Sequence, residues 1–324
     1  MSDYIMSVRG VQNNSFNSVV GPTQFLVVPN AQMPLPAHAV HSATWYARVL
    51  ADAAWKNSDG QDRGDILFVV HGYNNSEMEV IDRHRRLRDD LLMLGFKGVV
   101  VSFDWTSGDK ALAYISDRHK AKITALSLVT DGIAFLSNKQ TPSCTINVHV
   151  LGHSMGAFVI RESFDDADDT QLDNGAWSVS QVVLASGDVS ANSMATDDSG
   201  AESIYRHCVR LTNYSSRHDE ALDISNAKRL GIAPRVGRIG LPKNIPYSAV
   251  NVDCTKYYED LTNPGSLILI TDQPHNFQGM KSHSWYFGNA MFARDLFDVL
   301  IGTDRTVIKT RQIGADGELV LRHI

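Results

Sequence analysis

The chain has 324 residues, 43% of them hydrophobic and 20% charged, with 30 Lys+Arg against 36 Asp+Glu and a formal net charge of −6. That composition fits a globular protein with a large core and excludes a disordered, collagen-like or disulfide-stapled chain. The mild acidity disfavours nucleic acid or an anionic membrane as the main partner.

Three cysteines, Cys144, Cys208 and Cys254, form no CxxC pair and imply reduced thiols in a cytoplasmic location. No apolar run reaches membrane-spanning length, so no membrane span is expected. The first residues lack the basic-then-apolar pattern of a secretion signal. No internal repeat is present, and oligomeric state is not readable.

In chain order, residues 1–20 carry Asn13, Asn14, Ser15, Asn17 and Ser18 and read as a loose lead-in. Residues 24–28 suggest a strand, and Pro29, Pro34 and Pro36 a loop. Trp45, Val49 and Ala53 recur at helical spacing behind Ser42, an N-cap candidate. The unbroken apolar run at 66–70 predicts a strand buried on both faces. Ser76 and Glu79 have capping-box spacing, ahead of a helix with Val80, Leu87, Leu91 and Leu94 on its apolar face and Gly95 at its end. A strand at 98–103 precedes a helix over 110–137.

Residues 146–151 predict a strand, followed by Gly152-His153-Ser154-Met155-Gly156 and a helix to about Phe164. Strands at 181–185, 208–212 and 248–252, a helix over 289–300 and a hairpin turn at Ala315-Asp316-Gly317 complete the series. This alternation predicts an α/β fold with a mostly parallel, doubly wound sheet. The expected organisation is one domain over 21–302 with a C-terminal extension, 303–324, that covers the fold or pairs on a sheet edge.

Gly-x-Ser-x-Gly at 152–156, between a buried strand and a helix, is where chemistry concentrates. So tight a reversal pushes the Ser154 side chain out at the edge of the sheet, and the helix start beneath it offers free N–H groups to a developing oxyanion. Ser154 is therefore the candidate nucleophile. His71-Gly72-Tyr73-Asn74 follows an earlier strand and suits the second oxyanion donor. The backbone N–H groups of Tyr73 and Met155 are the candidates, with the Asn74 side chain as supplement. His71 reads as a structural residue of that loop.

Five blocks carry a resemblance to the α/β-hydrolase superfamily, and within it to the bacterial α/β-hydrolases of unknown function. They are FVVHGYNNS at 68–76, VSFDWTSGDKALAYISDRHKA at 101–121, HVLGHSMGA at 149–157, YSSRHDEAL at 214–222 and HSWYF at 283–287. Thr106, at an expected loop rim, replaces the proline usual after the tryptophan of the second block. The resemblance implies an α/β-hydrolase fold and a Ser-Asp-His triad in that chain order. Asp219 lies in the family block, and Asp188 is the competing acid. His283 lies ahead of an aromatic pair and a helix as in the family, and His275 is the competing base. His218 reads as a rim or solvent residue, and Asp219 doubles as a helix N-cap candidate.

These expectations describe a serine hydrolase acting on a small-molecule carboxylic ester of short or medium acyl length. Thioesterase, acyltransferase and peptidase remain open on the same triad, as does a non-catalytic binding scaffold. Only about 20 residues separate two strands where many lipases insert a lid, so a small lid or none is expected. Trp105, Tyr114 and Trp285, with Tyr286, are candidate apolar walls or core. The run at 267–270 suggests an extra strand near the pocket. The acidic run at 165–169 and the basic run at 83–88 read as solvated faces. With no phosphate-binding loop and no HExxH, no metal or cofactor is implied.

Overall fold

The run at 66–70 is apolar at every position because both of its faces are covered. Ile66, Phe68 and Val70 enter one hydrophobic core and Leu67 and Val69 the other. The computed structural model describes residues 2–73, 75–107, 114–134, 146–172, 177–227, 233–274, 280–315 and 317–324, without the side chains of 114–118 and 225–227.

The chain opens with β1 (Ser2–Gln12), β2 (Ser15–Pro29) and β3 (Ala39–Val40), then α1 (Ser42–Ala53) and β4 (Ala54–Lys56). β5 (Asp62–Val70), α2 (Glu77–Met93), β6 (Val99–Asp104) and α3 (Tyr114–Leu128) follow, the last continuing into a π-helical turn at Val129–Ile133. Next come β7 (Ile146–His153), α4 (Met155–Asp169), β8 (Val179–Ala185), α5 (Ser199–Arg206) and β9 (Cys208–Ser215). α6 (Glu220–Ala227), α7 (Val236–Ile239), β10 (Ala249–Asp253), α8 (Thr255–Thr262), α9 (Leu267–Thr271), α10 (Lys281–Ser284) and α11 (Ala290–Leu300) lead to the closing strands β11 (Arg311–Ile313) and β12 (Leu319–Leu321).

Among the described residues the strands form one sheet in the order β11-β12-β10-β9-β8-β7-β5-β6-β1-β2-β3, with β4 beside β5. Neighbours from β12 to β1 run parallel. The order reverses at β5, which has β6 on one side and β7 on the other. Ligands of such sheets bind outside the carboxyl ends of the strands at a reversal of this kind. The loop after β5 and the turn after β7 both lie there. Between β8 and β9 the helix is α5, of 8 residues. No described helix is long and apolar enough to cross a membrane.

Several expectations need correction. Residues 2–12 are a strand rather than a loose lead-in, and β1 pairs in parallel with β6 through Tyr4↔Val101 to Ser7↔Asp104. His41, and not Ser42, caps α1, its ring Nδ1 accepting from Ala43 N. The run at 267–270 is helical. The C-terminal extension does form a hairpin, and β12 adds to the sheet beside β10. Asp316 of its turn lies outside the described residues.

The basic run at 83–88 is not a solvated face, because β1 passes beneath α2. Arg83, His84 and Arg86 are buried. Arg85 and Arg88 reach down to the fully buried Asp3, Arg85 Nε lying 2.8 Å from its carboxylate. Side chains alternate along a strand, so Tyr4, Met6 and Val8 enter the core with Phe68 while Ile5 meets Ile81 of α2. Burial alone would raise the Asp3 carboxyl, but contacts with His84, Arg85 and Arg88 hold it below the usual range.

Asp3→Asn should therefore lower stability in urea unfolding at pH 7 by about 1–3 kcal/mol, since it leaves the partly buried Arg85 and Arg88 without their carboxylate. The folded carboxyl titrates below its unfolded value. Its contribution is thus complete above about pH 4 and is lost as pH falls further, so the gap between variant and wild type should close in acid.

Candidate active site

Ser154 stands between the last residue of β7 and the first of α4 with φ 57° and ψ −125°. Such a conformation costs an L-residue of order 1–3 kcal/mol and persists only where its surroundings enforce it. Here they do. Ser154 N donates to Ala185 O at 3.1 Å, and Ser154 O accepts from Asp188 N at 2.9 Å and Ala157 N at 3.1 Å. Space decides the flanking glycines: a Cβ at Gly156 would lie 2.1 Å from Val70 O, and one at Gly152 2.7 Å from Ala157 N. Met155 is N1 of α4, where a backbone N–H has no partner within the helix.

Asp219 and His283 meet. The Nδ1–H of His283 donates to Asp219 Oδ2 at 2.8 Å, with Oδ1 at 3.0 Å. Asp219 is fully buried and also accepts from Leu222 N, so it caps α6 as well. With Nδ1 engaged, Nε2 is the basic nitrogen of His283. Ser154 and His283 are each 9% exposed. His153, beside Ser154 in the chain, joins the two segments: its Nε2–H donates to the His283 carbonyl at 2.9 Å, and the rings lie 4.8 Å apart. Burial, the nearby His283 and Arg83 hold His153 well below the ordinary imidazole range, so it stays neutral.

The competing acid Asp188 forms a buried ion pair with Arg235 Nε at 3.0 Å. The competing base His275 lies outside the described residues. His218 is half exposed and meets Glu259. In the acidic run, Asp168 pairs with His207 and Arg206 at the end of α4. Burial pushes the Cys208 thiol up to about 12 and the Cys254 thiol well up, so neither supplies a thiolate.

The loop after β5 packs against the serine: a Cβ at Gly72 would lie 2.7 Å from Ser154 Cβ and 3.2 Å from its Oγ. Tyr73 is on this loop, and Asn74 lies outside the described residues. His71 holds the loop, with Nδ1 2.8 Å from Gly72 O and Nε2 3.2 Å from Asp104 Oδ1. Trp105 is not a wall of an open pocket. It is fully buried, stacked on His71, and donates its indole N–H to His71 O. Trp285 is likewise in the core, stacked on Tyr286. The Tyr114 side chain is outside the described residues. Thr106 is fully buried instead of standing at a rim.

Sequence reasoning missed Arg9, Asn75, Asp104 and His153. Arg9 Nε donates to both Asp104 oxygens, at 2.8 and 2.9 Å. Burial alone would raise the Asp104 carboxyl, but the Arg9 charge and the His71 bond bring it down to about 2. A signal for Arg9 was present in the alternation of Tyr4, Met6 and Val8 with Asp3, Ser7 and Arg9, broken only by Ile5, which is a strand pattern.

The profile of a family described as "Alpha/beta hydrolase of unknown function (DUF900)" matches residues 51–254, more than half of the chain. No curated protein sequence matches. Among solved structures, one described with LipS and LipT, two metagenome-derived lipolytic enzymes, shares 11% identity over 63% of this chain and 88% of its own, with a TM-score of 0.33. Est1E from Butyrivibrio proteoclasticus shares 12% over 64% and 91%, with a TM-score of 0.33. The RedJ thioesterase of Streptomyces coelicolor shares 11% over 63% and 87%, with a TM-score of 0.30.

Gly72→Ala should displace Ser154 and lower the melting temperature by several degrees, an overpacking cost of about 1–3 kcal/mol. Gly265→Ala, whose Cβ would meet nothing closer than 3.7 Å, should leave it nearly unchanged. Equal melting temperatures for the two variants would contradict the packing described.

Proposed function

Because the chain belongs to the alpha/beta-hydrolase family of unknown function, we propose that it is a serine hydrolase that cleaves carboxylic esters through an acyl-enzyme on Ser154. The observation that supports this reading is a strained Ser154 whose chain neighbour His153 holds the carbonyl of His283, itself paired with Asp219.

In the proposed mechanism, His283 Nε2 takes the Ser154 hydroxyl proton as Oγ bonds to the ester carbonyl carbon. Asp219 holds the imidazole tautomer and stabilises the imidazolium. The oxyanion meets the backbone N–H groups of Met155 and Tyr73, a term worth about 3 kcal/mol per donor. The intermediate collapses, the C–O bond to the alcohol breaks, and the alcohol leaves with the proton from His283. Water then attacks the acyl-enzyme by the same route and regenerates Ser154. Every step uses groups of this chain.

The short β8–β9 connection supports an open cleft and hence short or medium acyl groups. Thioesters and amides enter the same chemistry, and acceptor choice rests on the pocket. A cytoplasmic site of action belongs to the same proposal, supported by the free buried thiols of Cys208 and Cys254.

A fluorophosphonate should add once to the wild type, by intact mass, and not at all to Ser154→Ala. Asp219→Asn should fold normally and lose about 10⁴-fold in kcat. Rates on p-nitrophenyl esters should be highest for short and medium acyl chains. A folded wild type that takes no adduct would sink the reading and favour a binding scaffold.

A further inference from the structure

The proposed oxyanion donor on the first loop is the Tyr73 N–H. In a trans peptide that N–H points opposite to the Gly72 carbonyl, and no cis peptide occurs among the described residues. Whatever fixes Gly72 O therefore fixes the direction of the Tyr73 N–H. Two donors fix it: His71 Nδ1 at 2.8 Å and Asn75 Nδ2 at 2.8 Å.

Both donors trace back to a single side chain. Arg9 Nε binds Asp104, whose Oδ1 lies 3.2 Å from His71 Nε2; with Nδ1–H given to Gly72 O, this arm requires a proton on both ring nitrogens, and Trp105 N also lies 3.2 Å from Nε2. Arg9 Nη2 donates to Asn75 O at 3.1 Å. Ser107 Oγ donates to the same carbonyl at 3.3 Å and accepts from Asn75 N at 3.2 Å. Glu77, at the start of α2, lies 3.6 Å from Arg9 Nη1. Arg9 is 3% exposed, so water does not compete for these contacts.

We propose that Arg9 is a positioning residue for the reaction at Ser154: its two arms converge on the Gly72–Tyr73 peptide and hold that N–H toward the oxyanion. The proposal rests on the serine-hydrolase reading for its chemical meaning. The geometry of the tether stands apart from that reading. Arg9 lies before residue 51, outside the segment that matches the family, so the tether reaches the loop from a strand which that match leaves out. A guanidinium suits the task because its planar fork can serve a carboxylate and a carbonyl in fixed directions at once. A lysine keeps the charge for Asp104 but loses the fork.

The test is Arg9→Lys in the full chain, read by amide hydrogen exchange and by steady-state hydrolysis of p-nitrophenyl butyrate. Peptides covering 71–77 should exchange at least about tenfold faster while those of α4 are unchanged. kcat should fall roughly tenfold to a hundredfold with KM nearly constant, because the lost alignment acts in the transition state. The double variant Arg9→Gln/Asp104→Asn, which removes both charges together, should give the same pattern if Arg9→Lys fails to fold. Unchanged exchange at 71–77 overturns the proposal whether or not the protein hydrolyses esters. Faster exchange with unchanged kcat in an active enzyme also overturns it, leaving Arg9 a merely structural residue. A wild type without turnover, combined with faster loop exchange in the variant, sinks the hydrolase reading and supports the tether.

Discussion

The turn at Ser154 is the constraint on which the other features depend. A non-glycine residue at positive φ is held there by hydrogen bonds to Ala185 and Asp188, so the strand on one side of β7 takes part in setting the angle. The close approach of Gly156 to Val70 O, and of Gly72 to Ser154 itself, locks β5 into the same corner. Three adjacent parallel strands thus meet at one residue. A serine on an ordinary loop would be free to turn away. Here the backbone permits one direction, and the energy that enforces it comes from packing on both faces of the sheet.

Around that turn, the titratable groups are buried and paired. His283 and Asp219 are paired with each other. His153, buried and neutral, holds the His283 carbonyl and adds no positive charge beside that imidazole. The pair of Arg9 and Asp104 keeps opposite charges in contact beside the loop of His71 and Asn75. Each buried charge has a partner whose removal would cost more than the pair contributes. That asymmetry makes these positions intolerant of single changes.

Much of this was legible in the sequence. The elbow, the capping box of Ser76 and Glu79 and the strand at 66–70 each have a local signature, and each signature is local because its physical cause is local. Asp219 and His283 could be narrowed only by chain order and resemblance, since nothing in their own neighbourhoods records a contact 64 residues apart. The N-terminal strand was misread because its polar residues look solvated until the partner strand is known. Asp3, Ser7 and Arg9 are charged or polar, yet Asp3 meets arginines of α2, and Ser7 and Arg9 meet Asp104 of β6. The basic run on α2 was misread for the same reason, seen from the other side. Trp105 and Trp285 looked like pocket walls because aromatic residues near a motif suit either role, and burial alone separates the two.

The position of β1 in the sheet has a consequence for the order of events in folding. β1 is synthesised before every other strand, but its parallel neighbour β6 follows nearly a hundred residues later, as the separation of 97 between Ser7 and Asp104 records. Until then Arg9 lacks its partner Asp104, and the hairpin of β1 and β2 has only α1 to pack against. Long loops of this kind close slowly, after contacts nearer in sequence have formed. β1 is therefore among the last strands to find its place, and the loop beside the serine acquires its final shape only when β1 docks beside β6.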